Sequence, residues 1–135
     1  MSPILPDQQE LALTESRTMR DARISRTDVL DKVGALALLP GDTYATTDMV
    51  AAFYEVEVEA VKNLPKRFRD ELDVDGFLVV QRRDFARFNL NPANPNTRSM
   101  ALYSRQAILR AGMLLRDSEV AKQVRTELLD GLAGD

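Results

Sequence analysis

The side chains with chemistry to offer are concentrated between Thr46 and Arg83. In the run VEAVKNLPKRFRDEL, Val58, Val61, Leu64, Phe68 and Leu72 mark one face of a helix, and Lys62, Asn63, Lys66, Arg67 and Arg69 lie off it. That pattern offers the chemistry of a nucleic-acid contact. An asparagine amide bonds adenine through two hydrogen bonds, while lysine and arginine neutralise phosphates. Asn63 is therefore the candidate base reader. Lys62, Lys66, Arg67 and Arg69, with Arg82 and Arg83 further along, are candidates for backbone contacts, and Thr46 or Thr47 can donate to a phosphate. Glu55, Glu57 and Glu59 stand at the start of the same helix, where they repel phosphate. Three acids together fit DNA poorly, and they support a second reading: an interaction module that binds another protein, such as a basic repressor or a second copy of the chain.

Other chemistry is excluded or unsupported by composition. Cysteine, histidine and tryptophan are absent from the 135 residues. This removes thiol nucleophiles, disulfides, imidazole or thiolate zinc sites and the commonest general base. No GxGxxG, GxxxxGK[ST] or GxSxG occurs. The acids are scattered along amphipathic segments as solvated faces are. No catalytic residue, metal site or cofactor is expected, and the chain is read as a non-enzyme. No apolar run approaches the roughly 18 to 20 residues that cross a bilayer. The amino-terminal MSPILPDQQE lacks the basic and apolar stretches of a signal peptide, so a cytoplasmic location is expected.

The reactive side chains need elements to carry them. Thr27 opens a first helix in which Val29, Leu30, Val33, Leu36 and Ala37 recur at helical spacing, Asp28 sits in the first turn, and Pro40-Gly41-Asp42 is the stop. After an extended piece at 43–45, Thr46 or Thr47 caps a second helix with Met49, Val50, Phe53 and Tyr54 on its apolar face. Glu55-Val56-Glu57 is the turn, with Val56 inward, and a third helix spans Val58 to Leu72. Pro65 interrupts it. An interior proline removes a hydrogen bond and clashes with the preceding turn, so the helix kinks there or ends at Leu64 and restarts.

Asp73 to Gly76 is a turn, Phe77–Gln81 reads as a strand, and Met100–Tyr103 is its partner in a wing. The connection at 82–99 holds an amphipathic piece, Arg83 to Phe88, and the loop NLNPANPNT, a surface connection that cannot be helix or central strand. Ser104 caps a fourth helix with Ile108, Leu109, Met113 and Leu114 or Leu115 inward and Gly112 marking a close approach. Asp117 or Ser118 caps a fifth, with Val120, Val124, Leu128 and Leu129 inward and Lys122 and Arg125 outward.

The net charge of −3 is unevenly spread. Residues 1–61 carry eleven acids against five bases, and residues 62–87 carry seven bases against five acids. Residues 98–125 carry six bases (Arg98, Arg105, Arg110, Arg116, Lys122, Arg125) against Asp117 and Glu119. A basic middle between acidic ends suits a focused anionic partner.

The pairing of TTDMVAAFYEVEVEAVKNL with LYSRQAILRAGMLLRDSEVAKQVRTELLDG resembles small phage and mobile-element DNA-binding proteins of the antirepressor-like type, over about residues 30–130. The resemblance implies a winged helix-turn-helix with its recognition helix at Val58 to Leu72 and its wing at Phe77 to Tyr103. It implies a transcriptional regulator, a DNA-binding accessory protein, or an antirepressor that binds a repressor. Pro65 departs from that pattern, in which an ordinary helix former is expected.

The expected architecture is mainly α with a small β-wing: a mobile arm at 1–26, a winged helix-turn-helix domain at 27–103 and a C-terminal helical hairpin at 104–135. The hairpin either packs on the domain or serves dimerisation, and the apolar stripe of its last helix is the motive for a homodimer. Double-stranded DNA is the expected partner, with a protein partner as the alternative and no membrane.

Overall fold

The computed structural model of the chain describes residues 6–133. They are mainly helical with one small antiparallel sheet. A 3-10 helix at Pro6–Leu11 leads into α1 (Ala12–Glu15), α2 (Arg17–Arg23) and α3 (Asp28–Val33). Strand β1 (Tyr44–Thr46) precedes α4 (Thr47–Tyr54), α5 (Val58–Lys62) and α6 (Leu64–Val74). Strands β2 (Leu78–Gln81) and β3 (Ser99–Ser104) follow, then α7 (Arg105–Leu114) and α8 (Glu119–Ala133). Among the described residues no helix is long and apolar enough to cross a membrane.

The sheet order is β1-β3-β2, so the last strand lies between the other two. Leu78 stands opposite Leu102 and Val80 opposite Met100, while Ala45 stands opposite Tyr103. Because strand side chains alternate, this register sends two sets to opposite faces. Tyr103 and Ala45 enter the main core with Leu30, Val50, Tyr54, Leu72, Ile108, Met113 and Leu128. Val80 and Leu102 form a second, smaller core with Phe85 and Leu90, flanked by Leu39, Tyr44 and Phe88. The connection after β2 is thus folded back on the sheet: Arg82–Phe88 is a 3-10 helix that delivers Phe85 and Phe88 to this second core.

Two glycines mark the tightest joints. Gly76 has φ +101, a left-handed conformation, and a Cβ there would lie 2.7 Å from the Ser104 hydroxyl. Gly112 brings α7 against Tyr54, whose ring carbon Cζ would be 2.9 Å from an added Cβ. The Tyr54 hydroxyl donates to the Ile108 carbonyl at 2.6 Å. Ser118 caps α8 by accepting from the Ala121 amide at 3.0 Å, and it donates to the Tyr54 carbonyl at 2.6 Å. One tyrosine and one serine therefore tie α4 to both C-terminal helices.

Three expectations are corrected. The first helix stops at Val33 and not at Pro40; Gly34 is extended and 35–39 carry no regular structure. Leu36, Leu38 and Leu39 still pack on the two cores, and the Leu39 amide donates to the Tyr44 carbonyl at 2.8 Å. A short apolar run such as ALALL satisfies either outcome, because periodicity does not distinguish helix from buried extended chain over that length.

The segment expected as a mobile arm is packed in its described part: Leu13 is fully buried, and Glu10 and Arg20 are almost so. The third correction is Arg125, expected outward, which is 1 % exposed. The apolar stripe of α8 that motivated a dimer is also used within the chain, with Ala121, Val124 and Leu128 fully buried in the main core.

Candidate nucleic-acid interface

The helix pair that carries the candidate bases is shaped by local chemistry. The Thr46 hydroxyl accepts from the Met49 amide at 3.2 Å and caps α4, as its position before an apolar run predicts. Glu55 closes α4 in a left-handed conformation, with φ 55 and ψ 47. Its amide and that of Val56 return to the carbonyls of Ala52 and Ala51. The chain turns and α5 begins at Val58. Pro65 proves to be a boundary: α5 ends at Lys62, Asn63 is the joint, and α6 restarts with Pro65 in its first turn, where a missing amide costs nothing. A second break lies inside α6 at Phe68, whose φ −127 and ψ 30 are not helical.

The two breaks spread the candidate bases. Lys62, Asn63, Lys66, Arg67 and Arg69 are all exposed. Lys62 is 3.7 Å from Glu59. Arg67 lies over the Phe68 ring, 5.2 Å from its centroid, and has no carboxylate partner among the described residues. Arg69 instead bonds Asp73 at 2.7 Å and stacks on Phe77 at 5.0 Å, which draws it toward the start of β2. Arg67 faces a different wall, a cleft shared with Asn63, Thr14 and Leu115. Asp70 and Asp73 are exposed on the same helix. The bases of α6 are therefore interleaved with acids and do not form a continuous stripe.

Arg82 and Arg83 are exposed at the far end of β2. The Arg82 side chain donates to the Thr97 carbonyl at 2.8 Å, and its backbone amide donates to the Arg98 carbonyl at 2.8 Å. Strand pairing thus adds Arg98, which sequence reasoning counted as charge without placing it. Arg87, also missed, is exposed on the 3-10 helix beside Asp84 at 3.4 Å. The hairpin end thus carries Arg82 and Arg98, joined through the backbone, and Arg83 and Arg87, which lie 3.9 and 3.4 Å from Asp84. The signal for Arg98 was available in the pairing of Phe77–Gln81 with Met100–Tyr103, carried on past Gln81 and Ser99 to Arg82 and Arg98. Thr46 and Thr47 form a third group at the start of α4, both half-buried.

Two arginine-centred networks inside the fold were not foreseen. Arg110 donates to Asp75 at 2.5 and 3.2 Å and to Glu71 at 2.9 Å, and it reaches Asp21 at 2.8 Å. Arg20 forks onto the same Glu71 with two bonds of 2.8 Å and donates to the Leu13 and Thr14 carbonyls. Burial, with the like charges of Asp21 and Glu71, raises the Asp75 carboxyl above its ordinary value in spite of Arg110. Burial works against the Arg110 charge, but Asp75, Asp21 and Glu71 outweigh it and hold its pKa above the ordinary value. In the second network Arg125 contacts Glu10 and donates to the Gly112 and Leu115 carbonyls at 2.9 and 2.6 Å. Burial also pushes the Tyr54 phenol far above its usual range and that of Tyr103 up to about 12, so both hydroxyls stay protonated donors.

No family model, curated protein or solved structure matches the chain.

Proposed function

We propose that the chain is a winged helix-turn-helix DNA-binding module, acting in the cytoplasm as a transcriptional regulator or DNA-binding accessory protein of phage or mobile-element type. The observation that carries this reading is the order of elements around the sheet. A helix (α3) and an edge strand (β1) precede a capped helix (α4), a three-residue turn and a second helix pair (α5, α6), and the hairpin β2–β3 closes the sheet as β1-β3-β2. In that arrangement α5 and the first turn of α6 are the reading segment, and the arginine-rich end of the hairpin is the wing. Asn63 lies at the joint that would meet base edges, with Lys62, Lys66, Arg67 and Arg69 beside it to hold phosphates. Arg82 and Arg83 would hold phosphates from the wing, and Thr46 and Thr47 from the start of α4.

A specific observation favours the second reading. Glu55, Glu57 and Glu59 are all exposed at the turn and the first residues of α5, which gives the would-be reading head an acidic shoulder. A basic protein partner, the antirepressor-like role, fits that shoulder better than a phosphate backbone does. A homodimer on paired half-sites belongs to the DNA reading, but its interface would have to lie elsewhere than the buried stripe of α8.

Fluorescence anisotropy against duplexes tiled across the DNA flanking the coding region separates the readings. Binding that weakens steeply with salt, in proportion to the phosphates neutralised, is expected of the DNA module. No binding even at low salt sinks it and leaves the protein partner. Light scattering that stays at 15.1 kDa across concentration removes the dimer.

A further inference from the structure

A cleft of about 430 Å³ opens where the N-terminal segment, the α5–α6 joint and the α7–α8 corner meet. Its size lies within the range of small-molecule sites, roughly 300–1,000 Å³. Its walls are of two kinds. Val56, Ala60, Leu64, Phe68, Leu114 and Leu115 supply an apolar lining, and Asn63, Arg67, Arg20, Arg116, Glu15 and Asp117 supply the polar groups.

The polar groups are not equally available. Arg20 is committed to Glu71, and Arg116 pairs with Glu15 across the N-terminal side. The Asn63 amide makes no capping bond, and Arg67 rests on Phe68 without a carboxylate partner. Among the described residues, Asn63 and Arg67 are therefore the uncommitted donors that line the cleft, one on each side of Leu64 and Lys66 in sequence and beside an apolar lining. Asp117 is the opposing unspent charge, at the α7–α8 corner.

We propose that this cleft binds a small amphipathic anion, an aryl or alkyl carboxylate or sulfonate. Its apolar body lies on Leu64, Phe68 and Leu115, and its acid group accepts from Arg67 and Asn63. A guanidinium offers paired donors in a plane that matches such an acid, and the neighbouring apolar surface strengthens the contact by excluding water. Binding at this wall engages two of the residues assigned above to DNA, so the ligand acts as an effector that competes with the reading segment. The binding itself does not depend on the DNA reading and is measured without DNA.

The test uses anilinonaphthalene sulfonate as the probe, with the uncharged phenylnaphthylamine as its comparison, on the full chain. Expected is saturable fluorescence with one probe per chain, weaker for the uncharged compound. Ala60→Trp, which fills the cleft, should abolish it, and Arg67→Gln should weaken the anionic probe by about tenfold. Asp117→Asn should tighten it. Amide shifts on probe addition, which need no variant, should fall at residues 14–20, 56–68 and 114–117. Shifts elsewhere, absence of saturable binding, or binding indifferent to Ala60→Trp in a folded variant overturns the site. Equal affinity for both compounds together with no effect of Arg67→Gln overturns the anion.

Discussion

The buried arginines and the exposed ones carry the same charge under opposite conditions. Arg110 and Arg125 are 2 % and 1 % exposed and are ringed by carboxylates and carbonyls. The Arg83 side chain is 84 % exposed and reaches Asp84 only at 3.9 Å. The comparison shows why local charge was a poor guide to the outer surface. Of the six bases in residues 98–125, Arg110 and Arg125 are spent inside the fold, and Arg105 and Arg116 pair with Asp31 and Glu15. Among the described residues only Arg98 and Lys122 of this set remain without an ion pair. The apparent basic middle of the sequence is partly an internal scaffold, and the exposed positive charge moves to α5, α6 and the hairpin end.

Removing one charge from each class should give losses of very different size. Arg110→Met should leave the buried Asp75 without its cation and Glu71 with Arg20 alone, a loss of about 3–5 kcal/mol in urea unfolding. Arg83→Ala should change stability by no more than about 0.5 kcal/mol. Similar losses from both would mean that Arg110 is not the hub its bonds describe. Next in size is Gly112→Ala. The added methyl would displace the Tyr54 ring and its bond to Ile108, so a loss of about 1–3 kcal/mol is expected in the same measurement.

The two classes also differ in how legible they were. Thr46, Ser104 and Ser118 were readable as caps because each bonds an amide three residues on. Pro65 was readable as a break, and strands β2 and β3 as two short apolar runs that pair, because the physics is local. The buried arginines were not readable. Arg20 meets Glu71 after 51 residues and Arg125 meets Glu10 across 115, distances at which one sequence offers no reason to prefer a partner. The same remoteness hid the packing of the N-terminal segment, in which the apolar Leu13, Met19 and Ile24 are supplemented by Glu10 and Arg20. For the candidate site, residue types were legible and their grouping was not. Arg67 and Arg69, two positions apart, are separated by the non-helical Phe68 and by different aromatic rings.

Acid pH tests the internal network more gently. The folded Asp75 carboxyl is held above its ordinary 3.8, so the native state retains a proton that the unfolded chain has released. Its contribution to stability is therefore present in full below 3.8 and is lost as pH rises through the folded value. Asp75→Asn, which keeps an acceptor for Arg110 without the charge, should flatten the stability profile above about pH 4. Wild-type and variant profiles that run parallel there would show that burial of Asp75 is offset by Arg110.

The smallest effects on stability belong to the exposed bases, and these are where binding should respond. Arg69 is already engaged by Asp73 and Phe77, whereas among the described residues Arg67 has only the Phe68 ring. If the α5–α6 joint meets DNA, Arg67→Ala should weaken binding uniformly across sequences and lower the salt slope by about 1, while Arg69→Ala does less. Asn63→Ala should relax sequence preference and leave the slope unchanged. At the hairpin, Arg83→Ala with Arg98→Ala should lower the slope by about 2 if both hold phosphates. Anisotropy titrations at several salt concentrations measure all of these. Equal losses from Arg67 and Arg69 would mean that the Asp73 pair opens on binding, and Asp73→Ala should then raise affinity in the wild-type background.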